Sequence, residues 1–373
     1  MLSLLLACDP DAAEGTAPTS VSLTWYRSDP AESWELALTG LDWALSQVGA
    51  TPPSDGTAVD VQESRPDRVQ FTLHLDRLAL APAAQTLLAE VAEEMAAAEG
   101  TGDDDLGRFL MRSLHEPWRY YALTGACPTL AEWESKRPAL TLEYAVTTSL
   151  LLSEERLVLL PPAQTTLADV AFRSSEGAGS LADATFVASA YETVDLMPNG
   201  QFRYAVYDDA GRLQPAGATT ETGTPGKCAW CHETSIHAGT AENESAPGYL
   251  DYAGWLVERD AAQAQVEALR ASLSTSVAYA GLAAHVDGER LVEGFLHPSA
   301  ARVAAEWGTT EAAVMRELGV GEHMQEEFGW TERYTRTQVD HAAPFRGAVA
   351  TQPSARDLTD EAGLAAAPEP ECR

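Results

Sequence analysis

Residues 185 to 213 constrain this 373-residue chain more tightly than any other stretch. They read TFVASAYETVDLM, then Pro198-Asn199-Gly200, then QFRYAVYDDAGRL. Both runs are rich in β-branched and aromatic residues, which suit a pleated surface. Asn-Gly supplies the positive φ that a tight antiparallel connection requires. A hairpin is therefore expected at 185–213. In QFRYAVY the side chains of Phe202, Tyr204 and Val206 alternate with those of Arg203, Ala205 and Tyr207, and this period of two predicts one buried face. A second turn is expected at Asp208 to Gly211.

Around this hairpin the pattern predicts an α+β chain: a strand-rich mixed N-terminal and central part followed by a helical C-terminal part. VSLTWY and VQFTLHL read as strands. AAQTLLAEVAEEMAAAEG repeats its apolar positions every three or four residues and reads as a helix closed by Gly100. DDDLGRFLMRSLHE reads as another, with acids at its start and Pro117 at its end. After residue 248 the periodicity is helical. YLDYAGWLVERDAAQAQVEALRASLSTSVAYAGLAAHV suggests one long element, with shorter pieces at SAARVAAEW, TTEAAVMRELGV and GEHMQEEFGWTERY. Ser299 and Thr309 or Thr310 suit N-caps. The expected divisions are a leader and tether at 1–19, a mixed domain at 20–225, a connecting loop at 226–247, a helical region at 248–352 and a mobile tail at 353–373.

Apolar residues make up 45% of the chain, enough for a proper core. Acidic side chains outnumber basic ones by 56 to 24, a net charge of -32 that repels phosphate backbones. Nucleic acid is excluded as a partner on that ground; the acidity reads first as a solvated surface, with the docking of a cationic partner as the alternative. No stretch offers the ~20 apolar residues that cross a bilayer. LTLEYAVTTSLLLSEERLVLL comes closest, but Glu143, Glu154, Glu155 and Arg156 interrupt it, and it reads as a pair of buried elements.

The loop after the hairpin holds GKCAWCHETSIHAG, two cysteines and two histidines within ten residues. Cys228-Ala229-Trp230-Cys231-His232 resembles the haem-attachment motif of c-type cytochromes. That resemblance implies haem c, with Cys228 and Cys231 as thioether anchors on the two vinyl groups and His232 as the proximal iron ligand. Two other chemistries stay open for the same residues. Cys228, Cys231, His232 and His237 form a set of two thiolates and two imidazoles that tetrahedral zinc accepts, and a C-x-x-C pair is also a dithiol. Strands leading into C-x-x-C-H are also similar to the β-sheet cytochromes whose haem is cross-linked to a lysine. Lys136 is the one remote lysine that such a link has available.

The first residues, MLSLLLAC, resemble a bacterial lipobox. The resemblance implies an exported protein, periplasmic and held in the cell envelope through a lipid on Cys8 alone, with DPDAAEGTAPTS as tether. Such a compartment permits a disulfide between the two remaining cysteines, Cys127 and Cys372.

With iron bound, the distal ligand decides between an electron carrier and an open catalytic or sensing site. Met324, on the segment expected to be helical, is the first candidate; His323 and His237 are further ones. Trp230, Tyr204, Tyr207 and Trp255 either wall a haem crevice or belong to the core. His285, His297 and His341 have no supporting context. There is no phosphate-binding glycine loop, nucleophile elbow or H-E-x-x-H helix. The chain therefore reads as a monohaem, c-type cytochrome-like lipoprotein serving electron transfer to a redox partner in the envelope. A zinc-binding lipoprotein and a haem enzyme or sensor are the alternatives.

Overall fold

The computed structural model describes residues 18–99, 105–147, 155–162, 165–216, 225–232, 247–273, 275, 277, 279, 282–342 and 367–373. Strand β1 (Ser20–Tyr26) leads to helix α1 (Trp34–Gln47) and then to strands β2 (Val59–Ser64) and β3 (Arg68–His74). β3 pairs antiparallel with both, in the order β1-β3-β2. Its alternate residues Val69, Phe71 and Leu73 are buried, as a period of two demands. Next come helices α2 (Pro82–Glu99) and α3 (Leu106–Leu110), the latter started by Asp105, whose carboxylate accepts the Arg108 N–H at 3.0 Å.

α3 runs on into a π turn, Met111–His115, whose wide winding is sealed by the Glu116 N–H on Met111 O at 3.1 Å. Pro117 is the cause of the break. Its ring crowds the preceding residue out of the helical region, and Glu116 is extended at ψ 114°. Pro117 was expected to end a helix; it also opens the next, α4 (Pro117–Thr124), where its missing N–H costs nothing. α4 closes at Gly125, which takes the left-handed φ of 69°. α5 (Leu130–Ser135) follows.

Six strands then form an antiparallel sheet in chain order: β4 (Leu142–Val146), β5 (Glu155–Leu160), β6 (Ala171–Ala178), β7 (Val187–Leu196), β8 (Phe202–Asp208) and β9 (Leu213–Gln214). β7 and β8 are the expected hairpin, with Gly200 at φ 83°. The Asn199 side-chain amide anchors the turn, donating to Ser46 O in the last turn of α1 and to Ala50 O just beyond it at 2.8 and 2.7 Å. One expectation fails here. β8 is buried on both faces from Phe202 to Tyr207, because helices cover each side of it.

Helices α6 (Pro225–His232), α7 (Tyr252–Ala271), α8 (Leu282–Leu296), α9 (Ala300–Trp307) and α10 (Glu311–Leu318) come next. The chain then forms a small hairpin of β10 (His323–Gln325) and β11 (Trp330–Arg333), and helix α11 (Arg336–His341). Ser299 and Thr310 cap α9 and α10. The long helix expected from residue 249 onward is two helices, since α7 ends at Ala271 where serine, threonine and valine lower helix propensity. GEHMQEEF is not an α-helix: His323 and Met324 lie on β10, and only Glu326–Phe328 makes a single 3-10 turn. Glycines at 319, 321 and 329 bracket a segment too short to pay for helix nucleation, and strand pairing takes it instead.

One hydrophobic core runs from Val21 in β1 to Leu296 in α8, so the strand-rich and helical parts are packed together. α8 approaches its neighbours at backbone distance. A Cβ on Gly40 of α1 would lie 2.6 Å from the Gly288 nitrogen, and one on Gly107 of α3 would overlap Leu291 O. A smaller cluster of Val303, Val314, Tyr334 and Val339 lies beyond the end of α8. Among the described residues no helix is long and apolar enough to cross a membrane.

Cys127 and Cys372 form a disulfide, and the last residues are tied down around it. Arg373 N donates to Gly125 O at 3.0 Å, its guanidinium to Ala122 O at 2.7 Å, and Lys136 Nζ to Cys372 O at 2.6 Å. Residues 367–373 of the expected mobile tail are thus strapped to the end of α4, while 353–366 lie outside the described residues. Cys372→Ser opens a link across 245 positions, and we expect it to cost about 2–5 kcal/mol. A lower urea midpoint in the variant, matched by wild type under reducing conditions, checks this.

Candidate functional site

The C-x-x-C-H segment is helical rather than a loop, which corrects the expected 226–247 loop over its first seven residues. Pro225 presets the helical φ at the first position, and Ala229 locks the segment by burying its methyl in the core. With Ala229 inward, Cys228 and His232 are one turn apart on a shared face, and Cys231 precedes His232. Cys228 is half-buried and packs on the core; His232 is also half-buried. The side chains of Lys227, Trp230 and Cys231 lie outside the described residues, as do His237 and Cys8.

α6 rests on β8, α4 and the π turn. Toward β8, the His232 and Tyr204 rings meet at 5.9 Å between centroids, tilted by 31°. Toward α4 are two consecutive tyrosines with an unusual duty. β9 is only two residues long, so most of the outer edge of β8 would expose backbone donors to a dry interior. Tyr120 Oη accepts the Tyr204 N–H at 3.1 Å, and Tyr121 Oη accepts the Val206 N–H at 3.3 Å while donating to Gln214 O at 2.7 Å. Burial raises the pKa of both hydroxyls, the backbone donors oppose it, and nearby Cys228 adds to the rise. Both therefore remain neutral at any physiological pH.

Toward the π turn lies a residue with no motif around it. Gly226 sits on the imidazole of His115: a Cβ there would lie 2.5 Å from Nδ1, 3.3 Å from Cγ and 3.4 Å from Cε1. The glycine before the motif is thus a requirement of close approach. His115 is fully buried, with Nε2 at 4.0 Å from Glu289 Oε1 of α8. One turn back on the same segment, Arg112 contacts Glu94 at 2.8 Å and Glu116 at 3.5 Å, and Arg119 joins both acids at 2.6 and 2.9 Å. This buried network fixes α2, the π turn and α4 as one floor under α6. The spacing of Pro117 from the acidic helix start hinted at a break here, but no periodicity identifies a π turn.

Of the other candidates, Tyr207 bonds Cys127 O at 3.0 Å and Trp255 stacks on Tyr144 at 5.0 Å, both as core. Met197 is buried next to Gly49. Lys136 is engaged by the C-terminal strap. Met324 is 55% exposed on β10, whose hairpin meets α8 at His297. His297 is two turns past Glu289, about 12 Å at 1.5 Å per residue. The structure therefore does not bring Met324 or His323 to α6.

Among the described residues no cluster of three His, Cys, Asp or Glu side chains is arranged to hold a metal ion. The zinc set has two members, the Cys231 side chain and His237, outside them. For haem the donor chemistry fits: one short helix carries both thiols and the imidazole, and its inner face is an aromatic wall of Tyr204, Tyr120 and Tyr121. No protein-family model, curated protein or solved structure matches this chain.

Gly226→Ala must displace His115 or lift α6, and we expect a loss of about 1–3 kcal/mol in denaturant unfolding. Ala229→Gly, which creates no clash there, should cost about 1 kcal/mol.

Proposed function

We propose that this protein is an exported, lipid-anchored c-type cytochrome-like protein with one covalently held haem, serving one-electron transfer in the bacterial envelope. The observation that carries the reading is the single helix α6, whose backbone runs through the C-x-x-C-H residues and whose Cys228 and His232 lie beside a buried tyrosine wall. In this reading Cys228 and Cys231 hold the porphyrin by thioether bonds and His232 supplies the proximal nitrogen. The bound haem supplies a one-electron iron couple. The chain's own contribution is to fix its helix and keep water from one side. Tyr204 would limit rotation of the His232 ring, Ala229 and Gly226 hold α6 to its floor, and the neutral Tyr120 and Tyr121 hydroxyls add no charge beneath α6. Covalent attachment suits an exported protein, which would otherwise lose haem by dissociation. The acidic surface suits a cationic redox partner. A disulfide at Cys127–Cys372 is consistent with an oxidising compartment.

Expression with the cytochrome c assembly machinery tests the reading. The denatured polypeptide should keep a peroxidase stain on a gel, show a Soret band, and lose both in the double variant Cys228→Ser, Cys231→Ser. Carbon monoxide binding to the reduced form would mark an open distal site. A colourless, unstained protein from a host that loads a control cytochrome overturns it, and one bound zinc in that protein would assign the motif to metal.

A further inference from the structure

Far from α6, the far end of α8 carries a second group of titratable side chains that the proposed function does not use. His297 and Glu293 are 2% exposed, with His297 Nδ1 2.9 Å from Glu293 Oε2. The Gln325 amide of β10 closes the triangle, donating to Glu293 Oε2 at 2.9 Å with its nitrogen 2.7 Å from His297 Nδ1. His323, also on β10, lays its ring flat on His297, centroids 4.0 Å apart and planes within 11°. At the end of α8 the hairpin is thus held by Gln325 and a stack of two imidazoles.

We propose that the His297–His323 stack is an acid-sensitive latch that holds the β10–β11 hairpin against α8 near neutral pH and releases it on acidification. A charge on one ring of a stack needs a counter-charge nearby. Glu293 lies 2.9 Å from His297 Nδ1, and among the described residues no carboxylate forms an ion pair with His323. Its partner across the hairpin is Arg333, another cation, whose guanidinium covers Trp330 at 4.1 Å and contacts Asp29 at 3.6 Å. Arg290 of α8 covers Phe328 at 6.0 Å. Glu322 and Glu326 flank β10 from exposed positions. A proton on His323 therefore sets an unpaired cation flat against the buried His297 ring.

The direction of the pH effect follows from His323. Burial lowers its pKa, the neighbouring His297 charge lowers it further, and Glu293 opposes. The closed hairpin consequently binds fewer protons than the open one. Its stability is fully present above the ordinary histidine value of about 6.5 and is lost as pH falls from there through the lowered value. Opening leaves Arg333's hydrogen bond to Ser28 O, at 2.7 Å, as a hinge-side tie, and uncovers Trp330 beside the already exposed Met324 and Val320.

Hydrogen exchange of the full chain between pH 8 and pH 5, corrected for the intrinsic chemical rate, tests this. Amides of residues 321–334 should open up to about tenfold more per pH unit below about 6.5, while the middle of α8 stays unchanged. His323→Phe keeps a flat ring and cannot take the proton, so its hairpin should be closed and independent of pH. His323→Lys carries a fixed charge and should be open throughout. A pH-independent wild-type hairpin, or a His323→Phe variant that retains the dependence, overturns the proposal. None of these readouts requires bound haem.

Discussion

The hydrogen bonds from the Tyr204 and Val206 N–H groups to the Tyr120 and Tyr121 hydroxyls are the constraint on which the site depends. A strand buried on both faces has no water to satisfy its edge, and β9 is too short to do so. Two side chains from a helix replace a missing strand. That substitution requires α4 to be held in register with β8 to within a hydrogen-bond length. Three devices hold it there: the ion network of Glu94, Arg112, Glu116 and Arg119, the Arg203 guanidinium on Thr124 O and Gly125 O, both at 2.9 Å, and the Cys127–Cys372 strap. α6 inherits its position from all three.

The same economy joins the two parts of the chain. α8 is an interior helix that carries polar groups at 285, 289 and 293, with His297 just past its end, one per turn and all buried. Its glycine contacts bring α1 and α3 to backbone distance. Its polar row is met from outside: Trp43 stacks on His285 at 4.5 Å, His115 approaches Glu289, and Gln325 with His323 closes over Glu293 and His297. Buried polar rows cost desolvation, and the groups that meet this one come from α1, the π turn and β10. One helix thereby fixes the register of α1, the π turn and the small hairpin together.

What could be read from the residues alone divides along physical lines. The β7–β8 hairpin was legible because Asn-Gly has few other uses between two strand-like runs, and the helix caps at Ser299 and Thr310 because capping is local. Double burial of β8 was not, since alternating side chains look the same whether one layer or two cover them. The α6 helix was hidden by its glycine and threonine approach, while its stability comes from Ala229 and Pro225 against a distant floor. β10 looked helical because its three residues are fixed by pairing and by α8, neither of which leaves a periodic trace. The three motif residues were visible as chemistry, whereas His115, the π turn and the tyrosine edge were not: their roles exist only once remote segments meet.

The central claim is that sulfur atoms of Cys228 and Cys231 carry a porphyrin. Trypsin cuts after Lys227 and next after Arg259, so the motif is released on the peptide Cys228–Arg259. Mass spectrometry of that peptide, from protein matured with the cytochrome c assembly machinery, should find it heavier by one haem and free of alkylatable thiols. The same peptide at its unmodified mass, with both thiols alkylated, in a preparation where a control cytochrome is fully loaded, would contradict the account.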